Sequence, residues 1–186
     1  NGSGDAFFVD LDSNGAVLYS ASIGGTGYDQ AIDVDMGPND ERYYVGRFQG
    51  TVDFDPSVGG TDNRTVNGGF DAFALALDSA NNHLWSCQVG AASDDMARAV
   101  DVNDEGYVFI GGEFMWEADF HPSDDFEVDW YGSGKAGFIL GLTEDGNYVS
   151  SGKVDDDLGG ADSVRDIAFG PSRSIVYGGY FSNTAK

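Results

Sequence analysis

Only one cysteine, Cys87, occurs in the 186 residues, so the chain cannot close a disulfide on itself. Cys87 lies in an alternating strand pattern, where it reads as a plain strand side chain rather than a nucleophile. Histidine is nearly as scarce. His83 falls in an expected turn and His121 stands alone, and two separated histidines without a cysteine partner argue against zinc. Basic residues number nine against 32 acidic ones, a formal charge of −23. Such a field repels nucleic acid and anionic membrane, so neither is an expected partner. No apolar run reaches membrane-spanning length, and no basic-then-apolar leader opens the chain. The first residue is not Met and the sequence starts in Gly-Ser-Gly just before a repeat, which reads as a piece of a longer polypeptide whose targeting signals lie elsewhere. No window carries a helical period either.

What is present is a repeat. The stretch 5–56 opens DAFFVDLDSNGAVLYSASIGG, returns at Asp71 as DAFALALDSANNHLWSCQVGA, and returns again at Ala136 as AGFILGLTEDGNYVSSGKVDD. The later part, RYYVGRFQGTVDFDP, recurs as YVFIGGEFMWEADFHP and SIVYGGYF. Phe7, Phe73 and Phe138 stand 66 and 65 residues apart, and Phe48, Phe114 and Phe181 stand 66 and 67 apart. Insertions and deletions thus cancel within each unit, the mark of a repeat protein. The units fall at 1–68, 69–134 and 135–186, the third shortened at its end. The acids are spread along the chain and 41% of residues are hydrophobic, which describes an acidic folded surface rather than a disordered tail.

Each unit reads as four short strands. In the first these are 6–11, 17–23, 31–36 and 42–48, separated by Ser13-Asn14-Gly15, the glycine run 24–27 and Gly37-Pro38-Asn39-Asp40, with 51–55 as an edge strand or crossing. The second unit repeats them at 72–77, 83–89, 97–102, 107–114 and 117–120. The third has 137–142, 148–153, 164–169 and 175–181. The segments 57–70 and 123–135 read as surface loops, with Phe126, Val128, Trp130 and Tyr131 able to form a short strand or hairpin over a sheet edge. Four antiparallel strands per unit with glycine turns describe all-β propeller blades, which must stack to cover their apolar faces. Gly46, Gly111-Gly112 and Gly178-Gly179 mark crowding between strands, and Phe48, Phe114 and Phe181 are expected to fill the space between sheets. Three units are too few for an ordinary ring of four to eight blades, so a part of a larger propeller is expected.

The pattern Asp5-Ala6-Phe7, Leu11-Asp12, Tyr19-Ser20, Gly24-Gly25, Val45-Gly46, Phe48 and 50–56 resembles the bacterial and archaeal β-propeller repeats often called the seven-bladed propeller (SBBP) family. It reappears in Asp71-Ala72-Phe73, Leu77-Asp78, Trp85-Ser86, Gly111-Gly112-Glu113-Phe114 and 119–122. The third copy departs from it, with Ala136-Gly137 in place of Asp-Ala and no Trp/Tyr-Ser pair. The resemblance implies a secreted or surface-anchored protein and supplies no catalytic residue.

Two stretches carry candidate chemistry. Asp10-Leu11-Asp12-Ser13-Asn14-Gly15 fits the first half of a calcium loop, but no acid follows near the twelfth position and the other copies replace the ligands, so a hairpin turn explains it. Asp53 and Asp55, with Asp119 and His121 as their second-copy counterparts, present paired polar groups on a short strand. Such a pair performs acid–base chemistry only in a cleft that shifts one pKa, and turn capping is the simpler reading. No nucleophile elbow, phosphate loop or His-Glu-x-x-His motif is present. No catalytic, cofactor or metal residue is therefore assigned.

The expected function is a non-catalytic structural or interaction module of an extracellular or cell-surface protein, with recognition through loops such as 57–70. The alternative is an accessory part of a polysaccharide-acting propeller enzyme whose active groups lie mostly elsewhere. Acids gathered around a central funnel would favour the enzyme, and acids on outer turns the module. Expected partners are further blades of the same parent chain or a docked protein, with a homo-oligomer disfavoured by charge. Asn63-Arg64-Thr65 forms a glycosylation sequon in an apparent loop.

Overall fold

A computed structural model describes residues 2–121, 129–155, 160–170 and 174–182. Among these residues every regular element is a strand: β1 (Ala6–Leu11), β2 (Val17–Ile23), β3 (Gln30–Met36), β4 (Arg42–Phe48), β5 (Thr51–Asp53), β6 (Asn63–Thr65), β7 (Asp71–Leu77), β8 (His83–Val89), β9 (Met96–Val102), β10 (Val108–Asp119), β11 (Asp129–Leu142), β12 (Tyr148–Val154), β13 (Asp162–Phe169) and β14 (Ile175–Phe181). They form two four-stranded sheets, β3-β4-β7-β8 and β9-β10-β11-β12, and three two-stranded ones, β1-β2, β5-β6 and β13-β14. All pairings within the sheets are antiparallel.

The sheets are out of phase with the repeat. Each four-stranded sheet takes the last two strands of one sequence unit and the first two of the next, so β4 pairs with β7 from Arg42↔Leu77 to Phe48↔Asp71. The expectation of four strands from one unit per sheet is corrected here. Periodicity fixes the length of a repeat but not where the chain is cut into sheets.

Strand alternation explains the stacking. On β7, Phe73, Leu75 and Leu77 point to one face, where they meet Phe8 and Ile23 of the β1-β2 pair. Ala72, Ala74 and Ala76 point to the other, beside Tyr43 and Val45, and there meet Phe138, Leu140 and Leu142 of β11. One face of each sheet is bulky and the other small, so the bulky face of one fills the hollow of its neighbour at interior packing density. The glycines continue the hollow beyond the second sheet. A Cβ on Gly111 would lie 2.6 Å from Val164 Cγ1 of β13, and one on Gly137 would lie 3.2 Å from the Val164 amide nitrogen.

A triad of rings sits in each junction. Phe48 and Phe54 stand edge to face at 5.1 Å, and Phe54 lies 5.0 Å from Phe73. The second junction repeats this with Phe114 and Phe120 at 5.5 Å and Phe120 and Phe138 at 5.0 Å. All six are buried. The Phe of the repeated Asp-Phe-Asp/His-Pro element is thus its core anchor. Phe181, by contrast, is about half exposed, and the expectation that it fills an inter-sheet space is corrected.

Gly46 and Gly112 answer to crowding within their own sheet. A register shift in the adjacent strand pushes a carbonyl towards each, so a Cβ would lie 1.9 Å from Gln30 O and 2.2 Å from Met96 O. The ring of the following strand, Phe73 or Phe138, covers the same spot. Three further expectations change. The sequon lies on strand β6 rather than in a loop. β10 runs unbroken through Trp116, whose positive φ of 70° marks a bulge. Residues 129–135, expected as part of a surface loop, belong to β11, where Trp130 and Tyr131 take the strand form opposite Ala118 and Glu117, while Phe126 and Val128 lie outside the described residues.

Replacing Phe114 with Ala is expected to cost about 3–5 kcal/mol in denaturant unfolding, the range for a fully packed ring. Phe181→Ala should cost distinctly less. A loss below about 1 kcal/mol for Phe114→Ala would show that the ring does not hold the junction.

Candidate functional site

The sequence-predicted residues resolve into turns. Asp12 Oδ1 accepts the amides of Asn14 and Ala16 at 2.8 Å each. These bonds, Ala16 first, hold its carboxyl below the usual range. Gly15 has φ 83°, and the matching turns place Asn81 at 65° and Gly146 at 78°, residue types that tolerate the left-handed region. Asp10 turns away and pairs with the Arg42 guanidinium at 2.9 Å. The two carboxylates of the calcium-like run therefore diverge, and among the described residues no three His, Cys, Asp or Glu side chains converge as a metal site would need.

Asp53 and Asp55 likewise act on the backbone. Asp53 Oδ1 accepts from the amides of Asp62 at 2.8 Å and Asp55 at 3.1 Å, and Asp55 Oδ1 accepts from Ser57 at 2.9 Å. In the second copy Asp119 accepts the His121 amide at 2.9 Å, and the His121 ring lies 5.0 Å from that of Tyr148. Cys87 is buried, and desolvation pushes its thiol up to about 11, so it stays protonated at neutral pH.

A serine and a histidine on β8 do meet an aspartate just before β6. Asp62 accepts the Ser86 hydroxyl proton at 2.5 Å and lies 3.0 Å from His83 Nε2, while Arg64 Nε donates to Ser86 Oγ at 3.1 Å. The carboxylate stands between hydroxyl and imidazole, so the histidine has no hold on the serine proton. That order builds a brace, not an activated nucleophile.

Two sets of carboxylates missed in the sequence prove structural. Asp29, Asp95 and Asp162 stand 66 and 67 residues apart and are all buried. Asp29 accepts the amides of Gly25 at 2.9 Å and Gln49 at 3.0 Å, and Asp95 those of Ala91 and Met115 at 3.0 Å each. Each ties the loop that enters a sheet to the end of that sheet's second strand. The 66–67 residue spacing could have revealed them.

The second set joins consecutive sheets. β9 is an edge strand, and its outward amides on Val100 and Val102 donate to Asp33 at 2.9 Å and Asp35 at 2.7 Å on β3. Asp101 of β9 in turn accepts the Phe169 amide of β13. Desolvation raises the pKa of Asp101, with Asp35, Asp166 and Asp33 adding to it. Four acids thus gather along the converging strands β3, β9 and β13; three of them accept amides of the next sheet, and Asp166 accepts that of its own neighbour Ile167 at 3.0 Å.

A polar cleft opens where β6 and β8 come close to the end of β10. It has a volume of about 240 Å³ and is lined by Arg64, Asn67, Gln88, Gly90, Asp119 and His121. A Cβ on Gly90 would sit 2.7 Å from the Asp71 carboxyl carbon and 2.8 Å from Asp95 Oδ2, so both carboxyls crowd this glycine. Asp71 Oδ2 accepts from Asn67 N at 3.0 Å and Gln88 Nε2 at 2.5 Å. Burial raises the pKa of Asp71, and it carries Asp95 up to about 7, with the Asp71 charge a further contribution. On β10, Glu113 shows the opposite. Against the upward push of burial, hydrogen bonds from Arg98 at 2.7 Å and Lys135 at 2.8 Å hold it down to about 2.

A comparison with models of known protein families finds no match, and no curated protein matches the chain.

Asp95 carries a testable pH dependence. Between its ordinary value of 3.8 and about 7 the folded chain keeps a proton that the unfolded chain releases. Stability should therefore fall as pH rises through that window, by at most about 1.4 kcal/mol per unit. Urea unfolding of Asp95→Asn across pH 4–8 is expected to give a flatter profile than the parent. An unchanged slope would remove Asp95 as its source.

Proposed function

We propose that the chain is a non-catalytic structural or interaction module of an extracellular or cell-surface protein. Its sheets are blades of a larger propeller that present loops on a rigid, acidic frame. The observation that carries this reading is the use of the carboxylates. Asp12, Asp29, Asp33, Asp35, Asp53, Asp95 and Asp101 all accept main-chain amides, either in turns or across sheet junctions. A carboxylate so engaged positions backbone and is poorly placed to exchange protons with a substrate. The polar cleft supports recognition through the segment expected for it, since Arg64 and Asn67 belong to the stretch 57–70. Among the described residues no helix is long and apolar enough to cross a membrane.

The accessory-enzyme reading draws on one observation, the gathering of Asp33, Asp35, Asp101 and Asp166 along the converging strands. Incubation of the chain with a panel of neutral and acidic polysaccharides, followed by reducing-end release, separates the two. No release above the heat-denatured control is expected. Release that falls on Asp33→Asn or Asp35→Asn would overturn the module in favour of the enzyme.

A further inference from the structure

The junction between β4 and β7 recurs between β10 and β11. The first runs from Arg42↔Leu77 to Phe48↔Asp71, and the second from Val108↔Leu142 to Phe114↔Ala136. In the sequence period β14 is the counterpart of β4 and β10, and β1 is the counterpart of β7 and β11. Among the described residues β14 pairs only with β13 and β1 only with β2. The chain therefore carries the two halves of one further four-stranded sheet, one at each end of its stack.

What the interior junctions bury, these halves expose. Phe73 is 1% exposed and Phe7, its counterpart, 72%. Phe48 is 0% exposed and Phe181 45%. Val100 is 5% exposed and Val34 51%. In the interior, β4 lies beside β7 and against β9. The corresponding space between β1 and β3 is a groove of about 230 Å³ lined by Phe7, Val9, Ile32 and Val34. The strand that would enter it, β14, reads Ile-Val-Tyr-Gly-Gly-Tyr-Phe, with no charge and no proline to blunt its edge.

We propose that β14 of one copy pairs antiparallel with β1 of a second copy, in the register Ile175↔Leu11 to Phe181↔Asp5, and that two copies close head to tail. The register follows from the interior junctions residue by residue. Asp166 is the counterpart of Asp33, so in this arrangement it faces the Val34 amide of the neighbouring copy, as Asp33 faces Val100. This rests on reading the sheets as propeller blades. Each copy then supplies two whole sheets and two halves. Two copies make six sheets, inside the range of four to eight, whereas one copy or three would give three or nine. A head-to-tail contact repeated about a two-fold axis closes without leaving either edge free.

Sedimentation velocity of the unmodified chain, with salt added to screen the charge of −23, is expected to show a particle of twice the 19.7 kDa chain mass. Single variants Val9→Cys and Tyr177→Cys, both at exposed positions, should form an inter-chain disulfide when mixed and oxidised but not when oxidised alone. Replacing Tyr177→Cys by Tyr180→Cys in the mixture should abolish it, because that residue points to the other face. Buried Cys87 stays out of the reaction. A cross-link in either single variant alone would mean like-to-like pairing and overturn the proposal. A monomer at every salt concentration with no cross-link would overturn the pairing while leaving the blade reading intact, the outcome if a neighbouring repeat of a longer polypeptide fills these edges. A ladder of ever larger species carrying the cross-link would overturn both the closed ring and the blades.

Discussion

An edge strand inside a stack of sheets presents amides that no neighbouring strand can pair, and the arrangement of this chain depends on how those amides are met. β9 and β13 both stand at such an edge, and both are capped by carboxylates from the sheet before them. A buried amide without an acceptor costs more than an average hydrogen bond contributes, so these aspartates are required wherever sheets meet. They also fix spacing. An acceptor on one strand and a donor on the next hold two sheets in one register along their length, which apolar packing alone does not specify.

The same bonds account for part of the acidity. A generally acidic surface is the first reading of 32 acids, yet a good share of the aspartates face inward to loops and strands. Asp71 and Asp95 show the electrostatic consequence, since their burial raises both and leaves Asp95 partly protonated near neutrality. Glu113 is the exception that the chain's few cations explain, with Arg98 and Lys135 on one carboxylate oxygen. Stability is thus drawn in opposite directions by pH at two places along the same β9–β10 pairing. Glu113 contributes above its unfolded value near 4.5 and loses that contribution as pH falls towards 2, whereas Asp95 contributes when protonated.

Much of the strand content was legible, because Phe73-Leu75-Leu77 and Phe138-Leu140-Leu142 alternate with small residues and because Asn14-Gly15 announces a turn. Antiparallel all-β architecture follows from that pattern and is what the structure holds. The phase of the sheets was not legible, since a periodic sequence looks the same from any starting point and the choice between β1–β4 and β3–β8 lies in tertiary pairing. β6 escaped notice because Asn63-Arg64-Thr65 is polar and leans on β5 rather than on an apolar face. Of the candidate site, the turn-capping role of Asp12 and Asp53 could be read locally. Asp29 and Asp95 left a trace only in their 66-residue spacing, and Asp33 and Asp35 could not be read, because the amides they accept lie 67 residues away.

The half-unit offset between repeat and sheet also bears on how such a chain grows. A duplication cut in the glycine-rich loop after β2 or β8 would insert an entire sheet without interrupting the strand ladder of any existing one. The same length of sequence cut between β6 and β7 would add the same residues, but it would enter through the middle of a sheet. The loops after β2 and β8 are therefore the seams along which copies can be added or lost, and lineages of such chains should differ by whole sheets there.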